Sequence, residues 1–478
     1  MITRLASITL CLLALLAEAI AEPDRDWLDA PELEIGSVSM DPESRLLTIL
    51  GAHFGATRLP RVTLDAELLT VREAGDGKII AGPVSPRVES GAHLLRVVAG
   101  HDRSRFDALR VDLDEISAGS AAGADPAAGE TRVRALDSAG DVGWSPAIGV
   151  EQTGRPVVAY LDFSNADLKL AFCASADCSE ARIDVVDGEG SIGRSVALAI
   201  SAHGRPLISY FDDAQGLLKL ARCRDQDCSD VEIEVIDGSG RAGRFTSMAV
   251  GADGRPVIAF YDQVHRDLVA LVCQDADCRA AAARVIDRAG DLGWHNAVAF
   301  GADGFPVISY FDSGKRDIKV AHCLDRECLE VEQVTLDFGG VGMGTDIQVD
   351  GEGRPVIAYW DFVNDDLKVA RCEDASCRRA AIATVDSDGS VGSNPALTLG
   401  TDGLPLIAYH DHTNADLKVA HCLDPGCAQA ELAAIDTAGS VGWYIDIALG
   451  ADGRPLIAYY DETNGDLKLA RCATPTCQ

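Results

Sequence analysis

Short, almost wholly apolar runs recur through most of the chain, each opened by a proline and closed by an aspartate. Pro206-Leu207-Ile208-Ser209-Tyr210-Phe211-Asp212 and Pro455-Leu456-Ile457-Ala458-Tyr459-Tyr460-Asp461 are two of seven such copies. The residues before the prolines are Arg155, Arg205, Arg255, Phe305, Arg354, Leu404 and Arg454, spaced by 50 residues except for one step of 49 between Phe305 and Arg354. A run that is apolar at every position reads as a strand covered on both faces. In the second copy it is flanked by three further strand-like runs, giving the order Ser195–Ile200, Pro206–Phe211, Leu217–Arg222 and Val231–Ile236. Four strands in a repeat of this length predict a β-propeller blade, and seven copies predict a seven-bladed ring.

The two ends of the array predict how the ring closes. The last copy stops at Gln478, directly after Cys477, where its fourth strand is due, and a spare fourth strand, Thr131–Leu136, precedes the first copy. Pairing the two would complete the seventh blade and remove exposed sheet edges. The rival, an open solenoid, requires capping units that the sequence does not show. The repeats resemble those of bacterial exported β-propeller proteins of no assigned family, without a clear WD-repeat, kelch or sialidase Asp-box signature.

Residues 31–113 carry a different pattern. Strand-like runs at Leu46–Phe54, Arg61–Leu69, Lys78–Ala81 and His93–Ala99 are separated by Gly- and Pro-containing turns. The phrases Leu47-Thr48-Ile49-Leu50-Gly51-Ala52-His53-Phe54-Gly55, Val62-Thr63-Leu64 and His93-Leu94-Leu95-Arg96-Val97-Val98 resemble the IPT/TIG family of immunoglobulin-like domains. The resemblance implies a small β-sandwich serving as a spacer or binding module. Residues 114–130 are rich in Ala, Gly and Ser and read as a flexible linker. The expected class is therefore all-β: an Ig-like sandwich followed by a propeller over residues 131–478.

Residues 1–21 read as a signal peptide. Arg4, the apolar run Ile8–Ala17 and the small-residue site Ala19-Ile20-Ala21 place the mature start at Glu22. An uncleaved anchor is the alternative, but the run is too short to span a bilayer. A secreted protein, extracellular or periplasmic and without a transmembrane anchor, is expected.

Cysteine usage fits that compartment. Fifteen cysteines occur, of which Cys11 lies in the leader. The others form C-x4-C pairs: Cys173 with Cys178, Cys223 with Cys228, Cys273 with Cys278, Cys323 with Cys328, Cys372 with Cys377, Cys422 with Cys427, and Cys472 with Cys477. One pair per repeat in an exported chain predicts disulfides. Zinc is the alternative, but each pair stands alone on its repeat, short of four ligands. The formal charge of −33 disfavours nucleic acid and anionic membranes as partners.

Several polar motifs carry candidate chemistry. The D-x2-N-x-D motif between the second and third strands recurs at Asp162-Asn165-Asp167, Asp361-Asn364-Asp366, Asp411-Asn414-Asp416 and Asp461-Asn464-Asp466. It could supply calcium with oxygen ligands, but Asp and Asn also close tight turns on their own backbone, which is the favoured reading. Apart from that calcium alternative, no cofactor is expected. His410 and His412 fall on one face of a strand, too few for a metal site without a third ligand. The regularly repeated arginines, Arg155 among them, argue against one asymmetric catalytic site.

Asymmetry is the better guide to a ligand. Just before each inner strand, the position after a glycine changes from copy to copy: Trp144, Arg194, Arg244, Trp294, Met343, Ser393 and Trp443. In a propeller these positions should surround one mouth of the central channel. Tryptophan faces stack on sugar rings and arginines hold anions. The ligand-binding candidates are therefore Trp144, Arg194, Arg244, Trp294 and Trp443; packing between blades is the competing role for the same side chains. The expectation is a non-catalytic carbohydrate-binding or scaffolding protein, with a glycan, an acidic polymer or an extracellular protein as partner. The alternative is a carbohydrate-active hydrolase or lyase using carboxylates at the mouth; no catalytic residue is named for it.

Overall fold

The computed structural model describes residues 34–40, 47–52, 61–64, 67–69, 71–75, 78–81, 92–99, 105–112, 131–188, 192–237 and 242–478. The chain divides into two compact units, Met1–Ser120 and Ala121–Gln478. The expected leader at 1–21 and linker at 114–130 lie outside the described residues.

In the first unit the described backbone forms two four-stranded sheets. One has the order Glu34–Met40, Leu47–Ala52, Lys78–Ala81, Val71–Gly75; the other has Glu67–Leu69, Arg61–Leu64, Ala92–Ala99, Arg105–Asp112. The expected runs are present as strands, though Arg61–Leu69 divides in two. The strands Glu34–Met40, Val71–Gly75 and Arg105–Asp112 come in addition. The IPT/TIG likeness rests on the sequence alone.

The second unit is a seven-bladed propeller of four-stranded antiparallel sheets. Its inner strands are Val142–Val150, Ile192–Ile200, Ala242–Val250, Leu292–Phe300, Val341–Val349, Val391–Leu399 and Val441–Leu449, numbered here as blades 1 to 7. Each pairs on one side only, so its free edge lines the central channel, and each packs against the inner strands of both neighbouring blades, blade 7 against blade 1 included. The closing strand is Arg132–Asp137. It pairs antiparallel with Asp466–Arg471 of blade 7, with Val133 opposite Ala470. The spare strand read from the sequence thus completes the last blade.

The apolar runs are the second strands, and their uniform composition has a direct cause: Pro156–Asp162, Pro206–Asp212 and their counterparts are buried along almost their whole length. The core lies between blades. Val157, Leu168 and Leu170 of blade 1 meet Ile208, Tyr210 and the Cys223–Cys228 pair of blade 2. All seven C-x4-C pairs are disulfides within their own blades. They mark an oxidising, extracytoplasmic environment. Among the described residues no helix is long and apolar enough to cross a membrane.

A second, polar fastening joins the blades. The outer strand of each blade ends on an aspartate, and at six of the seven junctions that aspartate reaches into the next blade. Asp137, on the closing strand, accepts a hydrogen bond from the Tyr160 hydroxyl of blade 1 (2.7 Å) and an ion pair from Lys169 (3.3 Å), whose Nζ also lies 2.6 Å from Asp162. Asp187 with Tyr210 and Lys219, Asp386 with Tyr409 and Lys418, and Asp436 with Tyr459 and Lys468 repeat it. Blade 3 departs: Phe260 and Val269 stand where the others have tyrosine and lysine.

Candidate functional site

In an up-and-down blade, alternate connections lie at opposite ends of the ring. The G-A-D-G turns and the disulfide loops share one end; the D-x2-N-x-D turns and the starts of the inner strands share the other. The varied positions read from the sequence are at this second end. They are the third residue of each inner strand rather than residues just before it, because the strands begin about three residues earlier than the pattern suggested.

Each inner strand is bulged at this point. The ladder with the second strand loses register between Trp144 and Ala147, Arg244 and Ser247, Trp294 and Ala297, and Trp443 and Asp446. In five blades the residue after the varied position is a non-glycine with a left-handed backbone: Ser145, Phe245, His295, Asn394 and Tyr444 have φ between 46° and 54°. Non-glycine residues held there store strain that the surrounding packing must offset, and bulges re-aim side chains. The preceding glycine explains the close fit. Gly143 has φ +98°, and a Cβ on it would sit 2.6 Å from the Leu467 backbone of blade 7. Only glycine lets the bulge approach the neighbouring blade so closely.

The bulges gather aromatic rings between blades. Trp144 is buried, donates from Nε1 to Asp141 (2.7 Å), stacks on Phe163 (5.0 Å between centroids) and meets Tyr444 and Tyr460 at 5.2 and 5.1 Å. Trp294 is half-buried, donates to Asp291 (3.0 Å) and stacks on Phe245 at 5.4 Å. Trp443, also half-buried, donates to the Ser440 hydroxyl (3.2 Å) and has His410 at 4.6 Å and His412 at 5.3 Å. Arg244 lies 6.0 Å above the Phe211 ring and 3.5 Å from Asp213. The side chain of Arg194 lies outside the described residues. Met343 and Ser393 occupy the same column in blades 5 and 6. The column is thus brought to one end of the channel, with its tryptophans already in contact with protein rings.

The other motifs resolve into turns and fastenings. Asp162 accepts from the backbone N–H of Asn165 (3.0 Å) and from its side-chain amide (2.9 Å), and Asp361, Asp411 and Asp461 hold Asn364, Asn414 and Asn464 in the same way. These aspartates are spent on their own turns. Burial alone would push Asp162 up, but Lys169 and Asn165 bring it below the usual carboxylate range. The Nδ1 of His410 lies 2.9 Å from the Val441 carbonyl, at van der Waals range of His412 with ring centroids 4.5 Å apart. Among the described residues no three His, Cys, Asp or Glu side chains gather as a metal set. At the opposite end of the ring three of the repeated arginines reach the disulfide loop of the following blade, Arg155 to Asp227 (3.8 Å), Arg205 to Asp277 (2.8 Å) and Arg255 to Glu327 (3.2 Å), while Arg354 and Arg454 pair with Glu352 and Asp452 of their own turns.

Two functional candidates were missed in the sequence. Asp346 of blade 5 and Asp446 of blade 7 occupy one position of the inner strand, where the other blades have Ala147, Ala197, Ser247, Ala297 and Ala396. Asp346 accepts the backbone N–H of Leu397 in blade 6, and Asp446 that of Ile148 in blade 1, both at 2.7 Å. Burial raises Asp346 to about 6; burial, with the Asp346 charge adding to it, raises Asp446 to about 7. Aligning the copies column by column would have exposed both, since an acid interrupts a column of small residues.

No family model and no curated protein matches the chain. Among solved structures it is similar to an auxiliary nutrient binding protein from Bacteroides ovatus, at 11% identity over 92% of this chain and 98% of that one, with a TM-score of 0.41. It is also similar to a gluconolactonase from Xanthomonas campestris, at 11% identity over 72% of this chain and 91% of that one, with a TM-score of 0.38. At these values neither likeness extends to function.

Proposed function

We propose that the protein is a secreted, non-catalytic binding or scaffolding protein whose ligand, a glycan or acidic polymer, meets the bulged end of the propeller. In this reading the N-terminal IPT/TIG-like module serves as a spacer or a second binding module. One observation carries the proposal: the blade-to-blade fastenings repeat nearly unchanged, whereas the bulge position at one channel mouth is tryptophan in blades 1, 4 and 7, arginine in blades 2 and 3, methionine in blade 5 and serine in blade 6. A purely structural column would be free to repeat, as the Tyr–Asp–Lys fastening does. Trp294, Trp443 and Arg244 are half-exposed, as is Met343, and supply stacking faces and a cation. Trp144 is buried and would support them rather than contact the ligand. Arg194 is assigned to the same rim from its place in the column.

The test is a glycan array probed with the mature protein, with Trp294→Ala, Trp443→Ala and Arg244→Ala as variants. Selective retention that the variants lose supports the proposal; retention unchanged in all three, with Trp144→Ala added, removes the site. The hydrolase or lyase reading gains one observation, the acids Asp346 and Asp446 in the channel wall. It predicts release of reducing ends from a retained glycan, abolished by Asp446→Asn, whereas a binding protein releases none.

A further inference from the structure

The inner ring contains two acids and little to neutralise them. Across the inner strands the titratable side chains are Arg194, Arg244, His295, Asp346, Tyr444 and Asp446, with Tyr444 packed against Trp144 and Tyr460. The two arginines stand at the strand starts of blades 2 and 3, and His295 is held by burial near 4, so it is uncharged at neutral pH. The strands packed against Asp446 bring Tyr459, Tyr460, Tyr409 and His410. These are engaged with Asp436, Asp141, Asp386 and the Val441 carbonyl. Those packed against Asp346 bring Tyr310 and Tyr359, which donate to Asp287 and Asp337. The nearby lysines, Lys319, Lys368, Lys418 and Lys468, point to aspartates at the blade junctions. The charge that acts on Asp446 is that of Asp346.

Both acids also bridge blades. Each takes one oxygen to the next inner strand and the other to the N–H of its own following residue, Ile347 (2.8 Å) or Ile447 (2.9 Å). Asp446 does this across the junction of blades 7 and 1, where the ring closes, and Asp346 across the junction of blades 5 and 6. The inner strand of blade 6, Val391–Leu399, lies between them.

We propose that Asp346 and Asp446 form a proton-binding pair that sets the tightness of the inner ring by ambient acidity. Protonated, they brace the 5–6 and 7–1 junctions without placing charge in the channel wall, where both are half-buried. Ionised, each holds its N–H more strongly, but the cost of holding two like, partly desolvated charges there outweighs that gain and the junctions loosen. The two groups titrate as a coupled pair. For an acid raised by folding, stability is complete below the unfolded value and is lost as pH rises through the folded one. The window therefore runs from about 4, the ordinary aspartate value, to about 7. This device does not depend on which ligand the mouth receives.

The experiment is chemical denaturation of the mature chain at fixed salt from pH 4 to 8, for wild type, Asp346→Asn, Asp446→Asn and the double variant. Asparagine keeps an acceptor for the bridging N–H and removes the charge. The expected result is a wild-type unfolding constant that rises with pH, with each Asn variant removing a dependence of up to about tenfold per pH unit within the window. Asp167, Asp267, Asp366 and Asp466, also raised by burial, leave a residual slope in the double variant. Identical pH profiles for wild type and double variant would overturn the proposal. Difference infrared spectra of the wild type provide a reading that needs no variant. A protonated-carboxyl C=O band must be present at pH 5.5 and fade by pH 8; its absence at pH 5.5 would equally overturn it.

Discussion

The hydroxyl of Tyr160 donates to Asp137 across 2.7 Å and across a blade junction, tying the first blade to the strand that closes the seventh. Asp137 accepts from Lys169 as well, so the phenol is one of two donors to a buried carboxylate. Tyr160→Phe should therefore destabilise the propeller by about 1–3 kcal/mol, the cost of one buried charged hydrogen bond. Lys169→Met should cost more, about 3–5 kcal/mol, because Asp137 and Asp162 are then left as buried charges. Denaturant titration of both variants measures the difference, and equal effects would contradict the assignment.

Blade 3 has Phe260 and Val269 at the positions of that tyrosine and lysine, so the junction between blades 2 and 3 lacks the fastening. Local opening follows local stability. Native-state amide exchange should be faster in Pro256–Asp262 and Asp267–Cys273 than in the matching strands of blades 4 to 7. Uniform exchange around the ring would show that apolar packing alone governs the junctions.

Gly442 repeats the close approach of Gly143: its φ is +87°, and a Cβ there would lie 2.9 Å from the Leu417 backbone of blade 6. Gly442→Ala should cost at least about 1–3 kcal/mol through backbone strain, with a further contribution from the clash. Gly351, with open space around its Cβ position and no left-handed φ, is the control and should tolerate alanine. Thermal unfolding of the two variants separates them.

Acid should act on the junctions in the opposite sense to the channel pair. Burial would push Asp287, Asp337 and Asp386 up, but their lysine and tyrosine partners hold all three below the usual carboxylate range. Such groups contribute stability that is present above their unfolded value, about 4, and is lost as pH falls through the lower folded ones. The propeller should be most stable near pH 4–5, losing stability on the acid side through the junctions and on the alkaline side through Asp346 and Asp446. Neutralising Lys319 and Lys418 together should flatten the acid limb and leave the alkaline limb in place.

The blades were legible because the apolar second strands repeat at a fixed spacing and each proline and aspartate marks a strand end. The disulfides were legible from one isolated pair per repeat, and the closing strand from a spare Thr131–Leu136. The D-x2-N-x-D turn was legible because Asp and Asn at that spacing satisfy each other locally, as Asp162 and Asn165 do. The fastenings were not. Tyr160, Lys169 and Asp137 are conspicuous by repetition, but their partnership crosses a junction that exists only once the ring is built. The bulge was hidden for a related reason: nothing in Trp144-Ser145-Pro146 announces a left-handed residue, and the side chains it turns are set by the neighbouring blade. Asp346 and Asp446 escaped notice because each is ordinary on its own and distinctive only against the same column in the other copies.

The mouth, the channel acids and the fastenings all presuppose that Arg132–Asp137 belongs to the same sheet as Asp466–Arg471. Substituting Val133, opposite Ala470, with proline removes a donor from that ladder. Site-resolved amide exchange then reads the consequence directly. The account predicts that exchange accelerates in residues 466–471, more than 300 positions away in sequence, while the central strands of blades 3 to 5 keep their protection. Unchanged exchange at 466–471 in the Val133→Pro protein would contradict it.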